Sequence, residues 1–141
     1  MRFLSGVRAF VAALSILLTG LAAGIAQAGP GDPVNYRVMV HPAGQPPLSV
    51  YVEEMGRGPP ILFLHGLAGS SYTWRFVAAG LAATHRVIAI DLRGFGRTEK
   101  PFDQAYSPAD HAAVVRAFIT ERRLANLTLV FAPGGARQNL D

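Results

Sequence analysis

Two apolar runs without a polar interruption constrain the fold of this chain more than any other feature. They lie in the segments PILFLHG and HRVIAIDLRG and cover residues 61–64 and 87–90. A strand that does not alternate between apolar and polar residues is buried on both faces, as in a parallel sheet that helices cover. The two runs therefore predict parallel strands over residues 61–64 and 86–92.

The segments before these runs alternate in the way that half-buried strands do. Residues 36–40 (YRVMV) and 48–54 (LSVYVEE) are the two candidate strands, and a segment with Pro and Gly joins them. Leu48, Val50 and Val52 share one face of the second strand. Strands that follow each other across a turn usually pair, so we expect these two to be antiparallel neighbours.

Helical periodicity follows each of the apolar runs. Four residues at helical spacing form a first apolar stripe: Trp74, Val77, Ala78 and Leu81. The segment SPAD at residues 107–110 supplies an N-cap serine, a proline at the first helical position and an acid at the third, which predicts the start of a second helix. Residues 127–130 (LTLV) then predict a further buried strand. The order gives the fold class α/β, with two leading strands of antiparallel type and later parallel strands covered by helices.

The amino-terminal 28 residues have the pattern of a secretory signal peptide. Arg2 and Arg8 precede an apolar run over residues 9–28, which closes on the small-x-small sequence AQA. No charge occurs in the 23 residues between Arg8 and Asp32, and about 20 suffice to span a bilayer. We therefore expect export to the periplasm or the extracellular space, either with cleavage after Ala28 or with membrane attachment through residues 9–28.

Charge and composition argue against several classes of function. The chain has 13 basic and 9 acidic residues, and without Arg2 and Arg8 the net charge falls from +4 to +2, with the basic residues scattered. Nucleic-acid binding requires a clustered basic surface, so we predict no nucleic-acid partner. The chain lacks cysteine and therefore any disulfide, thiolate nucleophile or zinc–sulfur site. We predict neither a metal nor a cofactor, because no histidines or carboxylates stand at metal-ligand spacing and no P-loop sequence occurs.

The first candidate site loop, HGLAGSSYTWR, follows residues 61–64 and begins with His65 and Gly66. Ligands of parallel sheets bind at the carboxyl ends of the strands, where this loop begins. A glycine at this point lets a substrate oxygen come close to the backbone N–H groups. The same residues also fit an ordinary strand-to-helix turn, in which glycine is common.

The second candidate site loop, DLRGFGRTEKP, begins at Asp91 and contains Arg93, Gly94 and Gly96. Its G-x-G sequence also occurs in nucleotide loops, but Glu99 replaces the third glycine of G-x-G-x-x-G and no helix begins there. We interpret the segment as a loop beside the crevice, with Asp91 accepting hydrogen bonds from loop N–H groups.

Three segments in this order resemble the amino-terminal half of an α/β-hydrolase-fold protein. They are PPILFLHGLAGSSYTWR, HRVIAIDLRGFGRTEKP and YSPADHAAVVRAFITERRLANLTLV. They contain H-G-x-x-x-S and D-x-R-G-x-G-x-S-x-x-P, motifs of esterases, epoxide hydrolases and haloperoxidase-like proteins, with Thr98 in place of the second serine. The resemblance covers residues 48–130 and follows a linker and first strand over residues 29–47. It implies that the N–H of Leu67, beside His65-Gly66, is an oxyanion-hole donor and that the loop starting at Asp91 braces the site.

The resemblance stops at the nucleophile elbow, G-x-S-x-G, which the family carries after its next strand. Alignment on Val130 sets Phe131 at the first glycine, Pro133 at the nucleophile and Gly135 at the last glycine. We therefore predict no catalytic residue, a non-family tail over residues 131–141, and a partial sheet truncated after the strand that precedes the elbow. In the family, the catalytic acid and histidine come later still.

A triad rebuilt from the remaining residues is the alternative catalytic arrangement. It would combine Ser70 or Ser71 with His65 and Asp91, but nothing in the sequence requires the necessary hydrogen bonds. The serines fit loop or cap hydroxyls more simply.

Other polar and aromatic residues fit structural roles. Three histidines are interpreted as solvated side chains: His41, His85 and His111. Trp74 is interpreted as a packing residue that could also line the crevice.

The family's sheet places the strand that ends at Leu64 between the strands that end at Asp91 and Val130. The last of these would be an exposed apolar edge, which predicts a marginal or aggregation-prone chain. Two functions remain open. The first is an exported hydrolase whose parent breaks an ester or related bond of a small-molecule substrate, represented here by a truncated or frameshifted and inactive frame. The second is a non-catalytic exported protein that binds a small apolar ligand.

Overall fold

The computed structural model of the protein describes residues 32–132. The predicted signal segment and the tail beyond residue 132 lie outside the described residues. The strands, numbered along the chain, are β1 Val34–Val40, β2 Leu48–Met55, β3 Pro60–Leu64, β4 Arg86–Ile90 and β5 Thr128–Phe131. The helices are α1 Arg75–Leu81, which a 3-10 turn at Ser71–Trp74 precedes, and α2 Pro108–Glu121.

The strands form one sheet in the order β1-β2-β4-β3-β5. β2 pairs antiparallel with both β1 and β4, whereas β3 pairs parallel with β4 on one side and with β5 on the other. The predicted pairing of the two leading strands and the central place of the strand ending at Leu64 are therefore confirmed. Parallel neighbours need a crossover, and α1 and α2 with their loops supply it.

Strands β3 and β4 are buried on both faces, as their unbroken apolar sequences predict. In each strand, every residue after the first is buried. One face packs against α2 in a core that includes Leu62, Ile88 and Phe118. The other face packs against α1 and includes Phe63 and Ala78.

Strand β5 departs from the prediction of a fully buried strand over residues 127–130. It begins one residue later and ends at Phe131, and its side chains are exposed or only partly buried. Within residues 32–132 it is the last strand of the sheet and pairs on one side only, with β3. Its apolar residues therefore lie at an edge of the described sheet.

The predicted apolar stripe of the first helix is wrong at Val77. This residue is 51% exposed, and Ala78 is the buried residue of α1. Trp74 lies before α1, in the 3-10 turn, and its ring packs 4.9 Å from the ring of Phe63. Because a 3-10 turn has 3.0 residues per turn, a 3.6-residue period counted from Trp74 does not continue into the helix.

The start of α2 is confirmed in detail. The Ser107 hydroxyl accepts a hydrogen bond from the Asp110 N–H at 3.2 Å, and the Asp110 carboxylate accepts one from the Ser107 N–H at 2.8 Å. Pro108 occupies the first helical position. This capping box satisfies two N–H groups that the helix itself leaves unpaired. Across residues 32–132, no helix combines the length and the apolar character that a membrane crossing needs.

Candidate functional site

The carboxyl ends of three parallel strands lie side by side at one edge of the sheet. Leu64 at the end of β3 is in register with Ile90 of β4 and with Phe131 of β5. The N–H of Ala132 donates to the Leu64 carbonyl at 3.1 Å, so β5 stays paired beyond its last residue. The sheet thus brings the loop after β3, the loop after β4 and the end of β5 to the same edge.

His65 ties the first two of these loops together. The ring is fully buried, its Nε2 accepts the Leu92 N–H at 2.9 Å, and its Nδ1 lies 2.7 Å from the Gly66 carbonyl. A backbone N–H can only donate, so Nε2 is the acceptor and Nδ1 carries the proton that it donates to Gly66. Both ring nitrogens are therefore engaged in holding the backbone.

The turn after β3 is tight and, within residues 32–132, leaves the N–H of Leu67 without an acceptor. The Gly69 N–H donates to the Gly66 carbonyl at 3.1 Å, and Ala68 has φ +57°. A side chain at Gly69 would meet the Gly66 carbonyl at 3.1 Å and the His65 ring nitrogen Nδ1 at 3.3 Å. Between residues 32 and 132, no acceptor is bound by the N–H of Leu67, whose side chain is 77% exposed. An unpaired N–H beside an open turn can donate to an oxygen of a ligand.

Asp91 braces the loops at the end of β4. Its carboxylate is buried and accepts the Ser71 N–H at 2.5 Å and the Arg97 N–H at 2.7 Å. A Cβ at Gly96 would lie 2.1 Å from one carboxylate oxygen. Asp91 therefore joins the 3-10 turn to the loop after β4, and only glycine at position 96 leaves room for it.

The hydroxyl of Thr98 makes two hydrogen bonds that a serine hydroxyl at this position could also make. It donates to the Asp91 carbonyl at 2.6 Å and accepts the Tyr51 N–H at 2.8 Å. The replacement of the family's serine by threonine thus keeps a hydroxyl that ties this loop to β2.

Arg93 lies under the loop after β4 rather than at its surface. It is 1% exposed, and its guanidinium pairs with the Asp103 carboxylate and donates to Gln45 Oε1 at 3.0 Å. The guanidinium also stacks 5.5 Å from the centre of the Tyr106 ring. The same ring lies against Gly94, where a Cβ would approach it to 2.3 Å. The Arg93 charge holds the pKa of the Asp103 carboxyl below its usual value. Of the predicted crevice-loop residues, Arg93 is thus a buried anchor of the loop.

The rebuilt triad does not assemble. His65 binds Leu92 and Gly66 instead of a serine hydroxyl, and the Asp91 carboxylate binds backbone N–H groups instead of the imidazole. Among the described residues, no imidazole or carboxylate hydrogen-bonds to the hydroxyl of Ser70 or Ser71, so neither serine has the base that a nucleophile needs. The positions of these residues support a braced turn and not a nucleophile with its base.

Two contributors to this region escaped the sequence prediction. His111 was interpreted as solvated, but it is partly buried, with its ring centre 6.1 Å from Phe95 and 6.4 Å from Tyr106. The amide of Gln45, in the turn between β1 and β2, donates to the Asp110 carbonyl at 3.0 Å. The contact of His111 with Phe95 joins residues 16 positions apart, and that of Gln45 with Asp110 joins residues 65 positions apart, so no local sequence pattern predicts them.

An apolar cleft of about 250 Å³ lies against α1. Trp74, Ala78, Met55 and Val87 contribute to its wall, and the residues of the β3 turn do not. No group of three or more His, Asp or Glu residues that could hold a metal ion occurs in the described part of the chain.

Comparison with known proteins agrees with this geometry. The model of the family described as alpha/beta hydrolase fold matches residues 59–130. A haloalkane dehalogenase of Agrobacterium fabrum is 38% identical over 94 residues, which are 67% of this chain and 31% of that protein. An epoxide hydrolase of Caballeronia sordidicola is 36% identical over 91 residues, 63% of this chain and 28% of that protein.

A solved structure shows the same likeness. A loop variant of a haloalkane dehalogenase from Bradyrhizobium elkanii superposes with a TM-score of 0.64 at 35% identity, covering 71% of this chain and 32% of that one. The chain thus spans about a third of the length of the relatives it matches.

Proposed function

The chain belongs to the alpha/beta hydrolase fold family, and from this premise we propose that it forms the oxyanion-hole side of a hydrolase for esters or related bonds. The observation that carries the proposal is the turn after β3. His65 fixes that turn through two hydrogen bonds, from Nδ1 to the Gly66 carbonyl and from the Leu92 N–H to Nε2. The N–H of Leu67 has no partner within residues 32–132. A donor fixed in this way stabilises the negative charge that develops on a substrate oxygen during nucleophilic attack.

The bond class follows from what such a donor can do. An oxyanion hole serves reactions in which an oxygen of the substrate, or of a covalent intermediate, gains charge. Esters fit directly, and epoxides and alkyl halides fit when a carboxylate nucleophile first forms an ester with the enzyme. The relatives bear the names haloalkane dehalogenase and epoxide hydrolase, which agrees with this set of bonds. The proposed substrate is therefore a small molecule with an ester or related bond.

We further propose that this chain does not turn over substrate by itself. At the position that aligns with the nucleophile it carries Pro133, which has no nucleophilic atom. The nitrogens of His65 are occupied by Leu92 and Gly66, so this ring cannot serve as a general base while the turn is intact.

A chimera tests the oxyanion hole separately from turnover. Residues 59–130 replace the matching segment of the Agrobacterium fabrum dehalogenase, which supplies the remaining parts. We expect a folded chimera to retain activity and Leu67→Pro, which removes the N–H, to lower kcat by about 100-fold or more. Phe102→Ser, at a fully exposed side chain, is the matched control and leaves kcat unchanged. Equal activity of Leu67→Pro and the parent chimera would refute the proposal.

The chain alone tests the absence of turnover. The purified 141-residue protein is incubated with p-nitrophenyl esters, and release of the phenolate is followed. We expect no rate above that of buffer. Hydrolysis that Leu67→Pro abolishes would show that a nucleophile exists in this chain and would contradict the proposal.

Binding without catalysis is the second candidate function, and the apolar cleft beside α1 favours it. The single tryptophan of the chain, Trp74, lines this cleft and reports its occupation by fluorescence. A small apolar ligand that shifts Trp74 emission and raises the melting temperature would support this function. A screen in which no ligand does both would count against it.

Export is proposed for the segment that precedes the described residues. Its support is the charged start, the apolar run over residues 9–28 and the small-x-small end. An alkaline phosphatase fused after residue 47 should be active outside the cytoplasm, and amino-terminal sequencing distinguishes cleavage after Ala28 from a retained anchor. An inactive fusion would contradict export.

A further inference from the structure

His111 of α2 contacts the loop that follows β4. It lies in the first turn of α2, and its ring is 6.1 Å from the ring of Phe95 and 6.4 Å from the ring of Tyr106. Phe95 in turn packs edge-on against His65 at 5.5 Å. One imidazole therefore connects the helix, the loop and the brace of the candidate site.

The environment of His111 suits the neutral ring. Its Nδ1 is buried, and nothing in the described part of the chain hydrogen-bonds to it. A neutral imidazole can carry its proton on Nε2 and leave Nδ1 as a bare acceptor. The imidazolium carries N–H groups on both nitrogens, so protonation would bury a donor without an acceptor, which is costly.

Charges on several elements act on the ring. Asp110 neighbours it on α2 and Arg93 faces it from the loop after β4. The titratable ring of His65 faces it from the end of β3 and is neutral, because its Nε2 accepts the Leu92 N–H. Burial lowers the pKa of His111 below 6.5, Arg93 lowers it further, and the Asp110 carboxylate only partly offsets these effects. Arg93 cannot turn away without losing its ion pair with Asp103.

We propose that His111 is an acid-sensitive switch for the loop of residues 93–106: the neutral ring holds the loop against α2, and a proton on the ring releases it. The release reaches the candidate site, because Leu92, the residue immediately before this loop, donates its N–H to His65. The switch does not depend on the proposed hydrolysis. Its test therefore measures hydrogen exchange in the loop and not activity.

The test follows His111 and the loop in the same 141-residue chain. NMR records the imidazole shifts from about pH 8 to about pH 5, and hydrogen exchange records the protection factors of amides in residues 93–106. We expect the His111 midpoint to lie below 6.5 and the protection factors to fall over the same range. The protection factors should fall by about tenfold for every pH unit by which the His111 midpoint lies below 6.5.

Three variants separate the switch from general acid sensitivity. His111→Phe keeps an aromatic ring without a titrating group and should remove the fall in protection, and His111→Gln serves if the Phe variant does not fold. His41→Gln, at an exposed histidine that pairs with Glu121, should keep it. The carboxyls of Asp103 and Asp110 do not interfere, because their pKa values lie below 3.8. Protection that stays constant as His111 titrates, or that falls equally without His111, would overturn the proposal.

Discussion

Gly96 and Asp91 are closer together than a side chain at position 96 would allow. A Cβ there would lie 2.1 Å from the carboxylate, and Gly96 also has φ +50°. The Asp91 carboxylate lies this close to Gly96 because it accepts the N–H of Arg97, the residue after Gly96. Position 96 must therefore be glycine if the buried Asp91 carboxylate is to make this hydrogen bond.

Gly96→Ala should therefore destabilise the fold strongly, by more than about 2 kcal/mol, because it adds a clash to the strain of a positive φ. Gly44→Ala is the matched control: Gly44 has φ +73° with nothing within 4 Å, so only the backbone strain of about 1 kcal/mol remains. Urea denaturation of both variants measures the difference. Equal losses would show that Asp91 does not occupy the space beside Gly96.

Ionisation of the Tyr36 hydroxyl should lower the stability of the fold at alkaline pH. Burial and the hydrogen bond from its hydroxyl to Glu54 at 2.6 Å raise the pKa of Tyr36 to about 12. A raised pKa means that the folded state keeps the proton longer than the unfolded state, so this contribution is present below about pH 10 and is lost as pH rises toward about 12. Tyr36→Phe should flatten the decline of stability in this range, as equilibrium unfolding at several pH values will show. An unchanged decline in Tyr36→Phe would contradict the assignment.

At this scale the sequence indicates some roles and hides others. His65-Gly66 and Asp91 follow apolar strands directly, so their place at the sheet edge is readable from local pattern. The burial of Arg93 depends on Gln45 and Asp103, which reach it from other segments. Such contacts form only when the chain is folded, and a single sequence carries no local sign of them.

Helix α2 shows how an element can be specified by its first four residues. Ser107 and Asp110 exchange hydrogen bonds, and Pro108 fixes the first helical φ angle. The 3-10 turn before α1 has no such support, because the side chain of Ser70 at its N-cap makes no capping hydrogen bond.

Ser107→Ala should therefore cost about 1 kcal/mol of stability, and Ser70→Ala should cost nearly nothing. Thermal or urea unfolding of the two variants gives the comparison, with helix content followed by circular dichroism. Similar effects of the two substitutions would show that the capping box does not support α2.

The elements themselves were predictable to different degrees. Uninterrupted apolar runs identified β3 and β4, because four consecutive apolar residues bounded by turn residues are typical of a strand that is buried on both faces. The helical stripe failed at Val77 because a 3-10 turn breaks the count between Trp74 and α1. Strand β5 has three consecutive apolar residues, as β3 has four, but the burial of a strand depends on what lies on each side of it, which composition does not encode.

For the whole molecule, the sheet has two unlike sides. On one side, α2 covers a large apolar core, to which every strand except β5 contributes buried side chains. On the other side, α1 contributes one buried alanine to a smaller core. Phe76 and Val77 of α1 are exposed, and β5 lies at a sheet edge within the described residues. Apolar surface of this kind favours association between chains.

We expect the chain to associate in a concentration-dependent way, with β5 as the contact. Thr128→Lys, at an exposed position of β5, should reduce association because a charge on an edge strand opposes pairing, and Thr120→Lys on the exposed surface of α2 is the control. Light scattering over a dilution series measures the effect. A monodisperse parent chain with a cooperative thermal transition would contradict the expectation.

We propose that His65 fixes the turn after β3 and so leaves the Leu67 N–H free to donate to a ligand oxygen. The most direct measurement is the NMR spectrum of the His65 imidazole nitrogens together with the Leu92 amide. We predict the tautomer with the proton on Nδ1, and a scalar coupling across the hydrogen bond from the Leu92 N–H to Nε2. A proton on Nε2, or the absence of that coupling between the Leu92 N–H and Nε2, would show that the turn is not held in this way.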